Sequence, residues 1–200
     1  MARPDPRCGV LVVRRASSPT DQLYALSPLS ILARESGFEL DVVDCEGPDA
    51  VAPVAIATRA IGRHVIVCRY CSSPVLRRIV AAKRRLASLT YVVDDDIAAA
   101  AQTPGLEWAY RVSQIRVARR EFQELLAVAD RVVVTSPWLL ERYGSSKTQL
   151  LDPPLLWSLP GTSHFRSSRC IISFHATVVH RADLEAIAPA LKAIHGLRAQ

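Results

Sequence analysis

Two hundred residues, half of them hydrophobic, suit one domain or one domain plus the opening of another, and exclude a disordered chain. The net charge is +6 with arginine the dominant cation. No apolar run approaches the roughly 18 residues of a bilayer span, and Val10 to Val13, followed at once by Arg14 and Arg15, is too short for a signal-peptide core, so a cytoplasmic chain is expected.

Short β-rich runs alternate with longer helical patterns, which points to βαβ units and an open parallel sheet of Rossmann-like α/β type with helices on both faces. Gly9 to Val13 reads as the first strand, and Arg14 to Asp21 as a loop. A helix is predicted from about Gln22 to Glu35, interrupted at Pro28 and closed by Gly37 as its C-cap. Phe38 to Val43 is the second strand; Gly47 to Arg63 fits no element clearly. Val65 to Cys68 is a strand, Pro74 to Ala87 a helix, and Thr90 to Val93 a strand running into Asp94, Asp95 and Asp96.

The longest helical pattern runs from about Glu107 to Ala129, with Trp108, Val112, Ile115, Phe122, Leu125 and Leu126 on one apolar stripe. Arg131 to Val134 is a strand, and Ser136-Pro137 is a helix start, an N-cap followed by a residue with no N–H to waste. That helix ends at Gly144, and Thr148 to Leu151 is a further strand. After a proline- and serine-containing stretch the pattern restarts, with Cys170 to Phe174 as a strand and His180 to His195 as a helix carrying Pro189 and capped by Gly196. The expected organisation is a Rossmann-like domain over residues 1–155, a linker over 156–168, and over 169–200 the first β-α unit of a second Rossmann-like domain, incomplete here.

Five cysteines cannot pair completely. Cys68 and Cys71 have CxxC spacing but lack the second pair that a zinc site needs, so they read as ordinary thiols. Arg77, Arg78, Lys83, Arg84 and Arg85 form one basic cluster; Arg111, Arg116, Arg119 and Arg120 form another. Such clusters attract phosphates or anionic lipid headgroups, and peripheral membrane contact is the functional reading; a solvated helix face is the preferred one. With no aromatic interleaving and no nucleic-acid module, no nucleic-acid partner is expected.

Asp94, Asp95 and Asp96 sit at the carboxyl end of a predicted parallel strand, where open α/β sheets place ligands. Three adjacent carboxylates oppose folding unless an arginine, a hydroxyl donor or a cation compensates them. The plainer alternative is a turn that caps a helix. Trp108 and Trp138 fit core packing better than sugar stacking; Trp157 is the better sugar-contact candidate. His64, His164, His175 and His195 show no partner and read as structural or exposed.

Three segments, in order, resemble bacterial glycosyltransferases of the GT-B fold, of the group 1, family 4-like type: Tyr91 to Ile97, Ala129 to Arg142 with the following Gln149 to Pro154, and Ile172 to Leu184. The resemblance covers about half of the chain. It implies a glycosyltransferase of polysaccharide or glycoconjugate synthesis that moves a sugar from a nucleotide-sugar donor to a sugar or lipid-linked acceptor. It places the acceptor at Asp94, Asp95, Asp96 and Trp157, with Asp95 and Asp96 as catalytic candidates. The donor phosphates would face Thr177, His180 and Asp183 at a helix start. Enzymes of this fold do not generally depend on a divalent ion, so neither metal nor cofactor is implied. Without a complete second domain, the 200 residues alone are expected not to turn over. The alternative function is a non-catalytic α/β binding module or an inactive product.

Overall fold

The computed structural model describes residues 9–100, 102, 107–151 and 181–197. The chain divides into two compact units, Met1–Leu156 and Trp157–Gln200.

The first unit is built on a six-stranded sheet in which every pairing is parallel. Its strands are β1 (Val10–Arg14), β2 (Leu40–Asp44), β3 (His64–Cys68), β4 (Ser88–Val93), β5 (Arg131–Val134) and β6 (Thr148–Leu150), in the order β2-β1-β3-β4-β5-β6. The chain moves outward from β1 to β2 and then crosses back to β3, so the direction of winding reverses between β1 and β3. That reversal opens a crevice at the carboxyl ends of these two strands, the usual ligand position in such sheets. The fold is the Rossmann-like α/β sheet expected from the sequence.

β1 explains the core. Val10, Leu11, Val12 and Val13 are all buried, because successive side chains point to opposite faces and both faces are covered. Leu11 and Val13 join one cluster with Ile56, Leu76, Ile79, Tyr91, Phe122 and Leu125. Val10 and Val12 join a second with Ala25, Cys68 and Val92. The first face is covered by α3 (Pro53–Ala60), α4 (Ser73–Ala82), α7 (Gln123–Val128) and α8 (Pro137–Tyr143). The second is covered by the helical run that follows β1.

That run shows how proline shapes the backbone. It starts earlier than the sequence suggests: α1 (Pro19–Asp21) opens on Ser18, which forms a reciprocal capping box with Asp21. A π turn over Gln22–Leu26 follows, then α2 (Ser27–Ser36). Pro28 cannot donate to the carbonyl of Tyr24 and would collide with it, and the wide turn just before it makes the room. Gly37 closes α2 at φ 75 and donates to the Ala33 carbonyl at 2.8 Å, a conformation that glycine adopts without strain.

The unplaced stretch after Gly47 contains α3, started by Pro53. The long helix predicted over Glu107 to Ala129 is two helices, α6 (Trp108–Val117) and α7, joined by a π turn over Ala118–Phe122. α5 (Ile97–Ala100) is a single turn after the acidic run. α8 is capped as expected, with Ser136 Oγ accepting from the Leu139 N–H at 3.2 Å.

In the second unit the described element is α9 (Arg181–Leu197), in which Leu184, Ile187 and Ile194 are exposed. Gly196 lies inside this helix and does not cap it. The predicted strand over Cys170 to Phe174 lies outside the described residues.

Candidate functional site

The carboxyl edge of the sheet carries three ionic clusters side by side. At β1 and β2, Arg14 Nε meets Asp44 Oδ1 at 2.6 Å, and Arg14 Nη1 lies 3.9 Å from Asp21 Oδ2. Asp21 is buried, and its carboxylate accepts from the Ser18 N–H at 2.9 Å. Burial pushes the Asp21 carboxyl above its ordinary range, against the pull of Ser18 and Arg14.

The second cluster centres on Arg69, immediately after β3. It is the non-glycine residue with positive φ among the described residues, at 59°. Its backbone closes a three-residue turn, with the Tyr70 N–H on the Cys68 carbonyl at 2.7 Å. The Arg69 N–H donates to the Val92 carbonyl at 3.0 Å, and Tyr91 Oη donates to the Arg69 carbonyl at 2.6 Å. Its side chain reaches Asp94 Oδ1 at 3.1 Å through Nε and binds Asp95 Oδ2 through Nη2. Arg69 is therefore over-determined, which is the condition for a strained backbone to persist.

The acidic run divides into three roles. The Asp94 side chain is 9% exposed and also accepts from Thr20 Oγ1 at 2.9 Å. Burial pushes its carboxyl up, with Arg69 opposing. Burial also works against the charge of Arg69, but Asp94 and Asp95 outweigh it and hold that guanidinium above its ordinary pKa.

The Asp96 side chain is 6% exposed and structural in its contacts. Its Oδ1 caps the start of α5 by accepting from the Ala99 N–H at 2.8 Å and takes the Tyr143 hydroxyl at 2.5 Å. Its Oδ2 pairs with Arg142 Nε at 2.5 Å.

Asp95 is the exposed member, at 60%, with Arg69 as its ion-pair partner. Between the first two clusters, Arg15 binds Glu46 and lies 5.5 Å over the Tyr70 ring.

Arginine thus supplies the compensation that three adjacent carboxylates require. The sequence holds no sign of Arg69 in this role, because an arginine directly after a strand is ordinary and its partners lie 25 residues or more away in the chain.

Trp108, expected on the core stripe, is 76% exposed at the start of α6. Trp138, also expected to pack in the core, is 51% exposed with Arg142 lying 5.5 Å over its ring; the cap at Ser136 turns Leu139 inward instead. Cys68 and Cys71 are both buried, but in the clusters on opposite sides of the sheet, and burial pushes both thiols up. Their spacing serves no shared site. No group of three His, Cys, Asp or Glu among the described residues is arranged to hold a metal ion. No helix among the described residues is long and apolar enough to cross a membrane.

Asp183 lies in the first turn of α9 and is exposed. Trp157, Thr177 and His180 lie outside the described residues. Comparison with protein-family models, with curated proteins and with solved structures finds no match to this chain.

Proposed function

We propose that this chain receives an acceptor hydroxyl at Asp95 and serves as the acceptor-side half of a GT-B-type glycosyltransferase using a nucleotide-sugar donor. The observation that carries the reading is the division of labour in the acidic run. Asp95, at the carboxyl end of the central strand β4, presents an exposed carboxylate whose Oδ2 is fixed by Arg69. Its Oδ1 remains to accept from a ligand. In transfer, the acceptor oxygen would bond to the anomeric carbon as the bond to the nucleotide phosphate breaks, and Asp95 would take the hydroxyl proton. General-base assistance of this kind is worth about 10²- to 10⁴-fold. Thr177, His180 and Asp183 belong to the same reading as donor-phosphate contacts, and Trp157 as an acceptor contact.

The test is saturation-transfer NMR on the chain with a panel of mono- and oligosaccharides, beside a nucleotide-release assay. A saccharide should bind, and Asp95→Asn should remove that binding without altering the melting temperature. Equal binding by Asp95→Asn would sink the assignment.

A second reading is favoured by one specific observation. Asp94 and Asp96 are both committed to ion pairs and hydrogen bonds within the fold, which suits a non-catalytic binding module. Saccharide binding that survives Asp95→Asn supports that alternative.

A further inference from the structure

A cleft of about 210 Å³ opens at the carboxyl side of β1, β2 and β3, lined there by Arg15, Glu46 and Tyr70, and Glu121 forms part of its wall. Glu121 belongs to the π turn between α6 and α7 and is 5% exposed. One carboxylate oxygen, Oε1, accepts from Ser73 Oγ. The other, Oε2, is buried with no hydrogen-bond partner among the described residues. A buried carboxylate served by a single neutral hydroxyl is costly, and it calls for a further donor. π turns inside helices often mark functional sites, because the extra residue re-aims a side chain.

The rest of the lining asks for the opposite chemistry. α4, ten residues long, begins at this cleft, and the Ser72 side chain makes no capping hydrogen bond to it. In the first turn of α4 the N–H groups of Ser73 and Val75 have no intrahelical acceptor and favour an anion, while Pro74 has no N–H and Leu76 donates to the Ser72 carbonyl at 2.9 Å. Arg116 stands on the rim, exposed and without an ion pair among the described residues. Arg15 is held in place by Glu46, and it donates to Tyr70 Oη at 3.2 Å, which leaves the phenolic hydrogen to donate elsewhere. Ser113 adds another hydroxyl to the wall.

We infer that this cleft binds a monosaccharide bearing one anionic group. Its hydroxyls would donate to Glu121 and Ser73, and its anion would lie between Arg116 and the start of α4. A bare anion would leave the Glu121 carboxylate unserved and repelled; a neutral sugar would leave Arg116 and the helix start unserved. The ligand must carry both chemistries. None of these side chains belongs to the acidic run, so the site stands whether or not Asp95 receives an acceptor.

The experiment is isothermal titration of the whole chain with glucose 6-phosphate, glucuronate, glucose and inorganic phosphate. At least one of the two anionic sugars should bind ten times more tightly than both glucose and inorganic phosphate, and the tighter of the two identifies the anion as phosphate or carboxylate. Arg116→Gln should weaken that binding at least tenfold at an unchanged melting temperature. Glu121→Gln should reduce the preference for the anionic sugar over inorganic phosphate; if that variant does not fold, Ser113→Ala is expected to reduce the same preference. Binding of inorganic phosphate as tight as that of both sugars, no binding of either anionic sugar, or full retention of binding by Arg116→Gln overturns the proposal.

Discussion

The guanidinium of Arg69 and the carboxylate of Asp94 meet at 3.1 Å across the carboxyl ends of two neighbouring strands, β3 and β4. This contact explains why a non-glycine residue is held at φ 59. The strained turn after β3 is the geometry that brings the arginine over the acidic run, and the ion pairs offset the strain. Left-handed backbone costs an L-residue with a Cβ roughly 1–2 kcal/mol, and glycine nearly nothing.

A pair of variants separates the strain from the charge. Arg69→Ala and Arg69→Gly both remove the guanidinium, so both should be destabilised relative to the wild type. Only the alanine keeps the strained backbone. Arg69→Gly should therefore be the more stable of the two by about 1 kcal/mol in urea denaturation. Equal stability would mean that the turn relaxes once the side chain is gone, and that φ at this position follows the ion pairs instead of the strand ends.

The two aspartates that Arg69 holds should respond differently to the same substitution. Asp95 is exposed, and an exposed ion pair contributes about 0–1 kcal/mol, so Asp95→Asn should melt within error of the wild type. Asp94 is buried, and removing it leaves Arg69 without its inner partner and Thr20 Oγ1 without its acceptor. Asp94→Ala should cost about 2–3 kcal/mol. A larger loss at Asp95 than at Asp94 would invert the roles assigned along the run.

Asp96 serves as a cap. Asp96→Ala removes the acceptor for the Ala99 N–H and leaves the Tyr143 hydroxyl and Arg142 without their carboxylate. A lost cap costs about 1 kcal/mol and a lost charged hydrogen bond a further 1–2 kcal/mol, so about 2–3 kcal/mol is expected together. Tyr143→Phe, which removes one of these contacts, should cost less than half as much. A melting temperature unchanged in Asp96→Ala would show that the α5 turn is not held by this contact.

The parallel sheet was legible because its strands are continuous apolar runs separated by helical periodicity, as Val10 to Val13 and Arg131 to Val134 illustrate. Gly37 and Ser136 announced two helix ends, since their roles depend on local backbone alone. The π turns over Gln22–Leu26 and Ala118–Phe122 were not legible as such. Pro28 shows that something must interrupt the first helix, yet not that the ladder widens; nothing local marks the second. The acidic run could be found, but its division into ion pair, exposed carboxylate and cap depends on Arg69, Arg142 and Tyr143, which the fold brings from other elements. Glu121 gave no signal either, because a glutamate among arginines on a helix reads as solvent-facing, and its burial and its Ser73 partner come only from the fold.

Asp21, whose carboxylate lies against Arg14 at the carboxyl end of β1, makes stability depend on pH. Burial raises its pKa in the folded state above the ordinary value of 3.8, despite the hydrogen bonds from Ser18 and the charge of Arg14. In the folded chain the carboxyl therefore holds its proton to higher pH than in the unfolded chain. Over the interval between the two pKa values the folded state binds more protons, so the contribution of Asp21 to stability is fully present below the unfolded pKa and is lost as pH rises through the folded one. Asp21→Asn has no such titration, and its amide oxygen still accepts from the Ser18 N–H while Arg14 keeps Asp44. Urea midpoints measured for both proteins from pH 3.5 to 7 should show the wild type losing stability relative to Asp21→Asn as pH rises, with the difference levelling off once the folded carboxyl has ionised. A wild type that gains on the variant over that interval would mean that Arg14 and Ser18 outweigh burial, and that the carboxylate at the end of β1 is stabilised in its charged form.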